Sequence, residues 1–217
     1  MSTQIANLAL RHLGNSNEIA DILTERGQEA RAARAFYDIA RDETLRDCKL
    51  PSTRRYAALA LVENNPAGEY LFSYRLPIDC VGVRGLVLPR IASSYAAGIS
   101  TPLYKLTSDD SGGLILTNIE DVTIEYTARI TNVDTFPADF KMALSFKLAF
   151  LMAPSITGGD PFKRGPICAQ AYDLSVSKAK TNAYNEEPSS QAPPSELVSA
   201  HFGCYDDGGY PISGRTN

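Results

Sequence analysis

Apolar residues recur at helical spacing near both ends of the chain. Their period predicts a short helix over residues 3–14 and a longer helix over residues 27–48. Asp42 and Arg46 lie four residues apart on the polar side of the longer helix, so we expect them to form an ion pair. The apolar stripe of this helix consists of Ala30, Ala33, Phe36, Tyr37, Ile39 and Ala40.

The helical period returns after Pro137. Over residues 138–153 the apolar side chains surround the axis, which predicts a helix buried on more than one side. The stretch from Pro154 to Pro166 is interpreted as a connection, followed by a helix over residues 167–187. One side of that last helix carries Ile167, Ala171, Leu174 and Lys178.

Strand patterns occupy the middle of the chain. Residues 69–77 and 81–89 each predict a strand, and "NNPAG" (64–68) predicts a loop. "LYKLTSDDSGGLILTN" (103–118) predicts a β-hairpin, because the two glycines of its turn can adopt positive φ. Over residues 121–130 polar residues alternate with a set expected to face a core: Val122, Ile124, Tyr126 and Ala128.

Helices and strands are therefore segregated along the chain, which favours an α+β fold over an alternating α/β fold. We expect a helical bundle made of N-terminal helices (1–50) and a C-terminal helical hairpin (137–187). A strand-rich β region (51–136) is inserted between them. Residues 188–217 hold four prolines and four glycines and predict an extended C-terminal tail.

Composition and charge narrow the classes of function. The chain has 217 residues, 44% of them hydrophobic and 21% charged, with a formal net charge of −4. This acidic balance disfavours tight binding to a nucleic-acid backbone, which needs clustered Lys and Arg. It remains compatible with lining a passage through which DNA slides.

The stretch "MALSFKLAFLMAPSITGGDP" (142–161) is the most apolar of the chain. Lys147 and Pro154 interrupt it, so it is too short for a membrane span, which needs about 20 residues. The N-terminus has no basic segment of the kind that opens a signal peptide. The glycines of "TGGDPFKRG" (157–165) lack the Lys-Ser/Thr pair of a Walker loop and are interpreted as a hairpin turn.

Acidic, histidine and cysteine residues give no pattern typical of an active site. Asp38 and Asp42 lie one helical turn apart, but Arg34, Arg41 and Arg46 are close enough to form ordinary ion pairs with them. Asp109 and Asp110 suit a hairpin tip by turn geometry alone. His12 lies near a predicted helix C-terminus, where an imidazolium is favourable. His201 and Cys204 could pair, but no third orienting group accompanies them.

The spacing of the four cysteines excludes a standard zinc finger and does not indicate a disulfide framework. Cys48, Cys80, Cys168 and Cys204 form no C-x-x-C motif. We expect four reduced thiols, mostly buried. Neither a metal site nor a cofactor is expected, and no catalytic residue is assigned.

Three blocks of the sequence resemble the tail tubular protein A family of bacteriophage head-to-tail adaptors. They are "ARAFYDIARDETLRDCKLPSTRRYAAL" (33–59), "YLFSYRLPIDCVGVRGL" (70–86) and the pair "PADFKMALSFKLAFLMAPSITGGDPFKRG" (137–165) and "AYDLSVSKAKTNAYNEE" (171–187). The resemblance spans residues 4–187, with the blocks in the family's order. Family members often have Trp near the position of Leu50–Pro51, whereas this chain has none.

The resemblance implies a structural, non-enzymatic role. It implies a ring of roughly twelve subunits at the head–tail interface of a virion, assembled in the host cytoplasm. The ring would bind the portal protein above and a tail nozzle of the tail tubular protein B type below. Packaged DNA would cross its lumen without specific binding, and no membrane would be involved.

Two groups of residues are predicted to contact partners. Apolar and aromatic anchors in the tail are assigned to portal binding, because such residues dominate interfaces: Leu197, Val198, Phe202, Tyr205, Tyr210 and Ile212. Residues of the predicted hairpin are assigned to contacts between subunits: Tyr104, Leu106, Leu114 and Ile115.

An alternative is a hydrolase that acts on cell-wall or capsule carbohydrate as part of a phage tail. It would need two carboxylates converging in a cleft, about 5–9 Å apart. Acidic pairs are present in the sequence, but no motif accompanies them. A third alternative is a general interaction domain unrelated to phages.

Overall fold

The structure is a computed structural model that describes residues 2–67, 70–87, 104–157 and 161–186. The chain divides into two compact units, residues 1–183 and residues 184–217. Of the second unit, only residues 184–186, the last turn of a helix, are described. The first unit is α+β, as the segregation of patterns predicted.

Four α-helices occur among the described residues. They are α1 (Ser2–His12), α2 (Gln28–Cys48), α3 (Ala138–Ile156) and α4 (Pro161–Glu186). None of them is long and apolar enough to cross a membrane. The predicted helices are thus confirmed in kind and order, with changed ends.

Helix α3 is the centre of the helical core. Phe140, Leu144, Leu148 and Met152 are fully buried and lie on successive turns. Helices α1 and α2 pack against it. The small side chains of α2 that face this core, Ala30, Ala33 and Ala40, allow close approach of the two helices. Ile39 differs from the prediction, because 51% of it is exposed.

The C-terminus of α3 and the N-terminus of α4, which flank the connection of the helical hairpin, differ from the prediction. Helix α3 continues through Pro154 to Ile156, and α4 begins at Pro161, so the connection is much shorter than 154–166. Near its end the hydroxyls of Ser155 and Thr157 donate to the carbonyls of Met152 and Ala153. The carbonyl of Ala153 also accepts from the amide of Thr157, which closes the last turn of the helix. Residues 158–160, the centre of the predicted turn, lie outside the described residues.

The buried side of α4 is not the one that carries Ile167 and Leu174. Those two residues are 63% and 73% exposed. The side facing the core consists of Cys168, Tyr172, Val176, Ala179 and Ala183. The hydroxyl of Tyr172 donates to Asp47 at 2.7 Å, and Lys147 lies over its ring. A hydrophobicity count misses such an amphipathic residue, whose polar tip is satisfied by another helix.

Seven strands are described: β1 (Arg54–Ala58), β2 (Ala60–Ala67), β3 (Tyr70–Arg75), β4 (Cys80–Val87), β5 (Tyr104–Asp109), β6 (Gly112–Thr117) and β7 (Thr123–Ala128). They form two antiparallel sheets. We call sheet A the one with strand order β1-β7-β4, and sheet B the one with order β2-β3-β6-β5. The predicted hairpin is β5–β6.

The two sheets share one hydrophobic core. Tyr74 and Ile115 from sheet B meet Ile124, Tyr126 and Ala128 from sheet A. The alternation predicted for residues 121–130 is confirmed, since all four predicted inward residues are buried. The second core is separate from the helical one.

The path from β1 to β2 was not predicted. The chain leaves sheet A at Leu59, whose amide donates to the carbonyl of Val122, and enters sheet B one residue later. Strand β2 runs to Ala67, so the backbone of residues 64–67 is strand rather than loop. Its pairing with β3 has irregularities after Leu61 and after Asn64, which explains why no regular alternation marked it.

Candidate interaction surface

The acidic pair of α2 is held in ion pairs. Arg41, whose side chain is 8% exposed, lies 2.8 Å from Asp38 and 2.9 Å from Asp42. Asp42 also binds Arg129, 2.8 Å away. The predicted Asp42–Arg46 pair is therefore wrong, since the partners of Asp42 are Arg41 and Arg129. Asp42 therefore connects α2 with the end of sheet A, whereas Asp38 pairs within α2.

His12 lies at the contact between α1 and α3. Its Nε2 is 3.0 Å from Oγ of Ser145, and its ring stacks on Phe146 with 4.0 Å between centroids. The Ser145 hydroxyl donates to the carbonyl of Met142. Desolvation by burial lowers the pKa of His12 below its ordinary 6.5. This environment favours the neutral imidazole, in contrast to the imidazolium expected at a helix C-terminus.

Replacing His12 by glutamine is expected to make stability less dependent on pH. Because the folded protein lowers the pKa of His12, the unfolded chain binds more protons below pH 6.5. This contribution to stability is complete above that pH and is lost as pH falls through the folded pKa. The loss is expected to stay below about 1 kcal/mol, because solvent screens a half-buried ring.

Urea unfolding at pH 7.5 and pH 5 measures this effect in both proteins. The difference between the two pH values should be smaller in His12→Gln, whose amide can still donate to Ser145. If the free energy of unfolding changed equally with pH in both proteins, the pKa of His12 would not be shifted by folding. His201 is the other histidine of the chain and has no assigned role here, so a His201→Gln variant is the matched control.

Asp109 on β5 forms an ion pair with Arg75 on β3 of the same sheet. Its two carboxylate oxygens accept from Arg75 at 2.5 and 2.7 Å, and Oδ1 also accepts from the amide of Ser111. Hydrogen bonds from Arg75 lower the pKa of Asp109 to about 2. The sequence predicted that Asp109 serves turn geometry alone; the Ser111 bond confirms the turn, but the ion pair with Arg75 adds a second role. The bidentate ion pair that joins β3 to the hairpin was missed, because 34 residues separate its partners.

The described cysteines are free thiols, as predicted. Cys48 and Cys168 are buried and Cys80 is half-buried. Burial raises the pKa of Cys48 to about 12, so this thiol is unreactive at neutral pH. Among the described residues no group of three His, Cys, Asp or Glu could hold a metal ion. His201 and Cys204 lie outside the described residues.

A cleft of about 480 Å³ opens beside sheet B. Glu120 and Asp121 contribute the carboxylates of its lining. The Tyr74 hydroxyl accepts from the amide of Asp121 and donates to the carbonyl of Ile119, so it already holds this turn. The remaining lining is apolar: Leu59, Leu61, Leu71 and Phe72.

Sheet B has exposed apolar residues at both of its edges. Strands β2 and β5 are the outermost strands of its described order. Leu61 on β2 is 50% exposed and Leu106 on β5 is 51% exposed. The strands between them bury Tyr74 and Ile115 against sheet A. The apolar face of the sheet thus continues past its own core on both sides.

The four predicted subunit-contact residues fall into two classes. Leu106 is half exposed at the edge, and Tyr104 is partly buried against the sheet core. Leu114 and Ile115 are 9% and 0% exposed, so they are buried inside the protein itself and are not accessible to a partner. Sequence reasoning could not separate them, because all four are apolar residues of one hairpin and the pattern does not show which of them other strands cover. The six predicted portal-binding residues of the tail lie outside the described residues.

Further exposed apolar side chains were missed. Val62 on β2 and Leu71 on β3 are 47% and 51% exposed. Leu61 belongs to the same group, and all three lie near the irregular part of β2. The signal that could have found them is the apolar run "ALALV" (58–62) beside a loop-like segment.

Comparison with protein-family models finds no match, and comparison with curated proteins finds none with significant sequence similarity.

Proposed function

We propose that this protein is a structural head-to-tail adaptor of a tailed bacteriophage. Copies of the chain form a ring beneath the portal, join it to the tail nozzle and leave a channel for DNA. The ring belongs to the mature virion. This role involves no catalysis and no cofactor.

One observation carries the proposal. The four-stranded sheet B has two different outer strands, and each bears a half-exposed leucine. A closed ring requires two different, mutually complementary surfaces on every subunit, because each copy contacts its two neighbours through opposite sides. The two edges of sheet B are two different surfaces of this kind, which supports the proposal.

The positions of the resembling blocks also support the proposal. The first block covers most of α2 with β1, the second covers β3 and most of β4, and the third covers α3 and α4. The first and third blocks contribute buried residues to one helical core. The family's expected bundle therefore corresponds to elements that pack together in this chain.

Binding to a cognate portal ring tests the proposal. Full-length protein and a version truncated after Glu187 are sedimented with the portal, and negative-stain images give the symmetry. We expect stoichiometric binding of the full chain and loss of binding on truncation, since the tail anchors are removed. A full-length variant with alanine at Phe202, Tyr205 and Tyr210 separates the contribution of these side chains from that of the length of the tail.

Failure of full-length protein to bind would contradict the proposal. Turnover of cell-wall or capsule carbohydrate would then become the next assay. Binding that survives truncation would keep the adaptor role but reject the assignment of the tail residues.

A further inference from the structure

We propose that neighbouring copies extend sheet B, with β5 of one copy pairing antiparallel with β2 of the next. The inference rests on the proposed ring, and it names the surface through which a second copy of this chain binds. It commits to one register, in which Leu106 faces Leu61 and Lys105 lies beside Glu63.

Strand direction allows this pairing. Every neighbouring pair in the order β2-β3-β6-β5 is antiparallel, so β2 and β5 run in opposite directions. A second copy in the same orientation therefore presents β2 antiparallel to β5 of the first. The alternation of strand directions continues without a break, and the contact is head-to-tail rather than two-fold.

The inner face of the sheet supports the register. Leu61 is opposite Tyr74, Tyr74 is opposite Ile115, and Ile115 is opposite Leu106. These four residues form one row across the sheet, buried at its centre and half exposed at both ends. Pairing of β5 with the next β2 places Leu106 against Leu61. Both leucines then lose contact with water.

The outer face supplies opposite charges. Glu63 is opposite Ser73, Ser73 is opposite Leu116, and Leu116 is opposite Lys105. Glu63 and Lys105 are both exposed and end the same row on opposite edges. The register that pairs the leucines brings Lys105 of one copy beside Glu63 of the next. Cross-strand pairs of opposite charge favour pairing, and like charges oppose it.

The same features disfavour other partners. Lysine on an edge strand and an irregularity after Leu61 are devices that hinder unspecific edge pairing. Pairing of β5 with β5 of another copy would bring two Lys105 side chains of like charge together. Pairing of β2 with another β2 would do the same with two Glu63 side chains. The charges therefore select the head-to-tail contact over the two symmetric ones.

A carbodiimide that couples a carboxylate directly to an amine tests the contact on the native sequence. Within one copy Glu63 and Lys105 are separated by three strand spacings, about 14 Å, which is too far for direct coupling. A linked Glu63–Lys105 peptide, identified by mass spectrometry, must therefore join two copies. Mixing ¹⁴N- and ¹⁵N-labelled protein verifies this, because half of the linked peptides then carry both labels.

Charge exchange gives the second test, by sedimentation of the assembled protein. Lys105→Glu and Glu63→Lys are each expected to weaken association about tenfold. The double variant Glu63→Lys/Lys105→Glu is expected to restore it, which a general loss of folding would not produce. Lys141→Glu, a reversal on α3 away from the edge, is the matched control.

Both tests are performed on the free protein at high concentration and on its complex with the portal. Absence of the linked peptide from both samples would overturn the inference, as would a double variant no better than the single ones. Portal binding without the link would reject the edge contact and leave the adaptor function standing. The link without portal binding would support the contact and reject the adaptor function.

Discussion

Replacing Leu148 by alanine is expected to lower the free energy of unfolding by about 2–5 kcal/mol. Leu148 is completely buried on α3, within the core that α1, α2 and α4 share. Truncation removes the methine and the two methyl groups at the end of the leucine side chain and leaves a cavity, because neighbouring helices relax only partly. The loss is a large share of the stability of an ordinary domain.

The matched control is the same substitution on an exposed face. Leu174 on α4 is 73% exposed, so Leu174→Ala is expected to change stability by no more than about 0.5 kcal/mol. Urea unfolding followed by circular dichroism measures both variants. A loss at Leu174 equal to that at Leu148 would contradict the orientation of α4 described above.

Replacing Arg84 by methionine is expected to cost about 2–4 kcal/mol. On β4 the Arg84 guanidinium donates to the carbonyl of Leu50, at 2.6 Å, and to the hydroxyls of Thr53 and Thr127. These three partners are 4%, 1% and 1% exposed. Methionine keeps much of the volume of the side chain but leaves buried polar groups with fewer hydrogen bonds.

Arg84 also connects the helical core with sheet A. We therefore expect its replacement to affect hydrogen exchange near this connection more than elsewhere. Leu50 belongs to the helical core, whereas Thr127 lies on the central strand of sheet A. Hydrogen exchange in Arg84→Met should therefore accelerate most in β1 and β4. Arg55→Met, which changes an exposed arginine of β1, is the control. Uniform acceleration over the whole chain would contradict the role of Arg84 as a local connection.

The assignment of partner contacts changes with the structure. Of the four hairpin residues, Leu106 is half exposed and stays a candidate for a contact between copies, and the proposed pairing places it against Leu61 of the next copy. Ile115 is buried and lies between Leu106 and Tyr74, in the row that ends at Leu61 of the same copy. The outer-face charges Glu63 and Lys105 had no assigned role in the sequence, because 42 positions separate them and only strand order places them in one row.

Local pattern alone determined much of this protein. The period of α2 and α3, the alternation of residues 121–130 and the turn of the β5–β6 hairpin follow from neighbouring residues, so they were predictable. The segregation of these patterns was sufficient for the α+β class. Such features depend on backbone geometry within a few residues and need no knowledge of distant partners.

Tertiary structure decided what distant residues share. Arg75 binds Asp109, and Asp42 binds Arg129, across separations of 34 and 87 residues. Helix α4 has apolar residues on two sides, and the Asp47 partner of Tyr172 helps select the buried one. Likewise the irregular segment 60–67 is a strand because its backbone pairs with β3. In each case the chain lowers its free energy through contacts that sequence neighbours cannot supply, so only the fold reveals them.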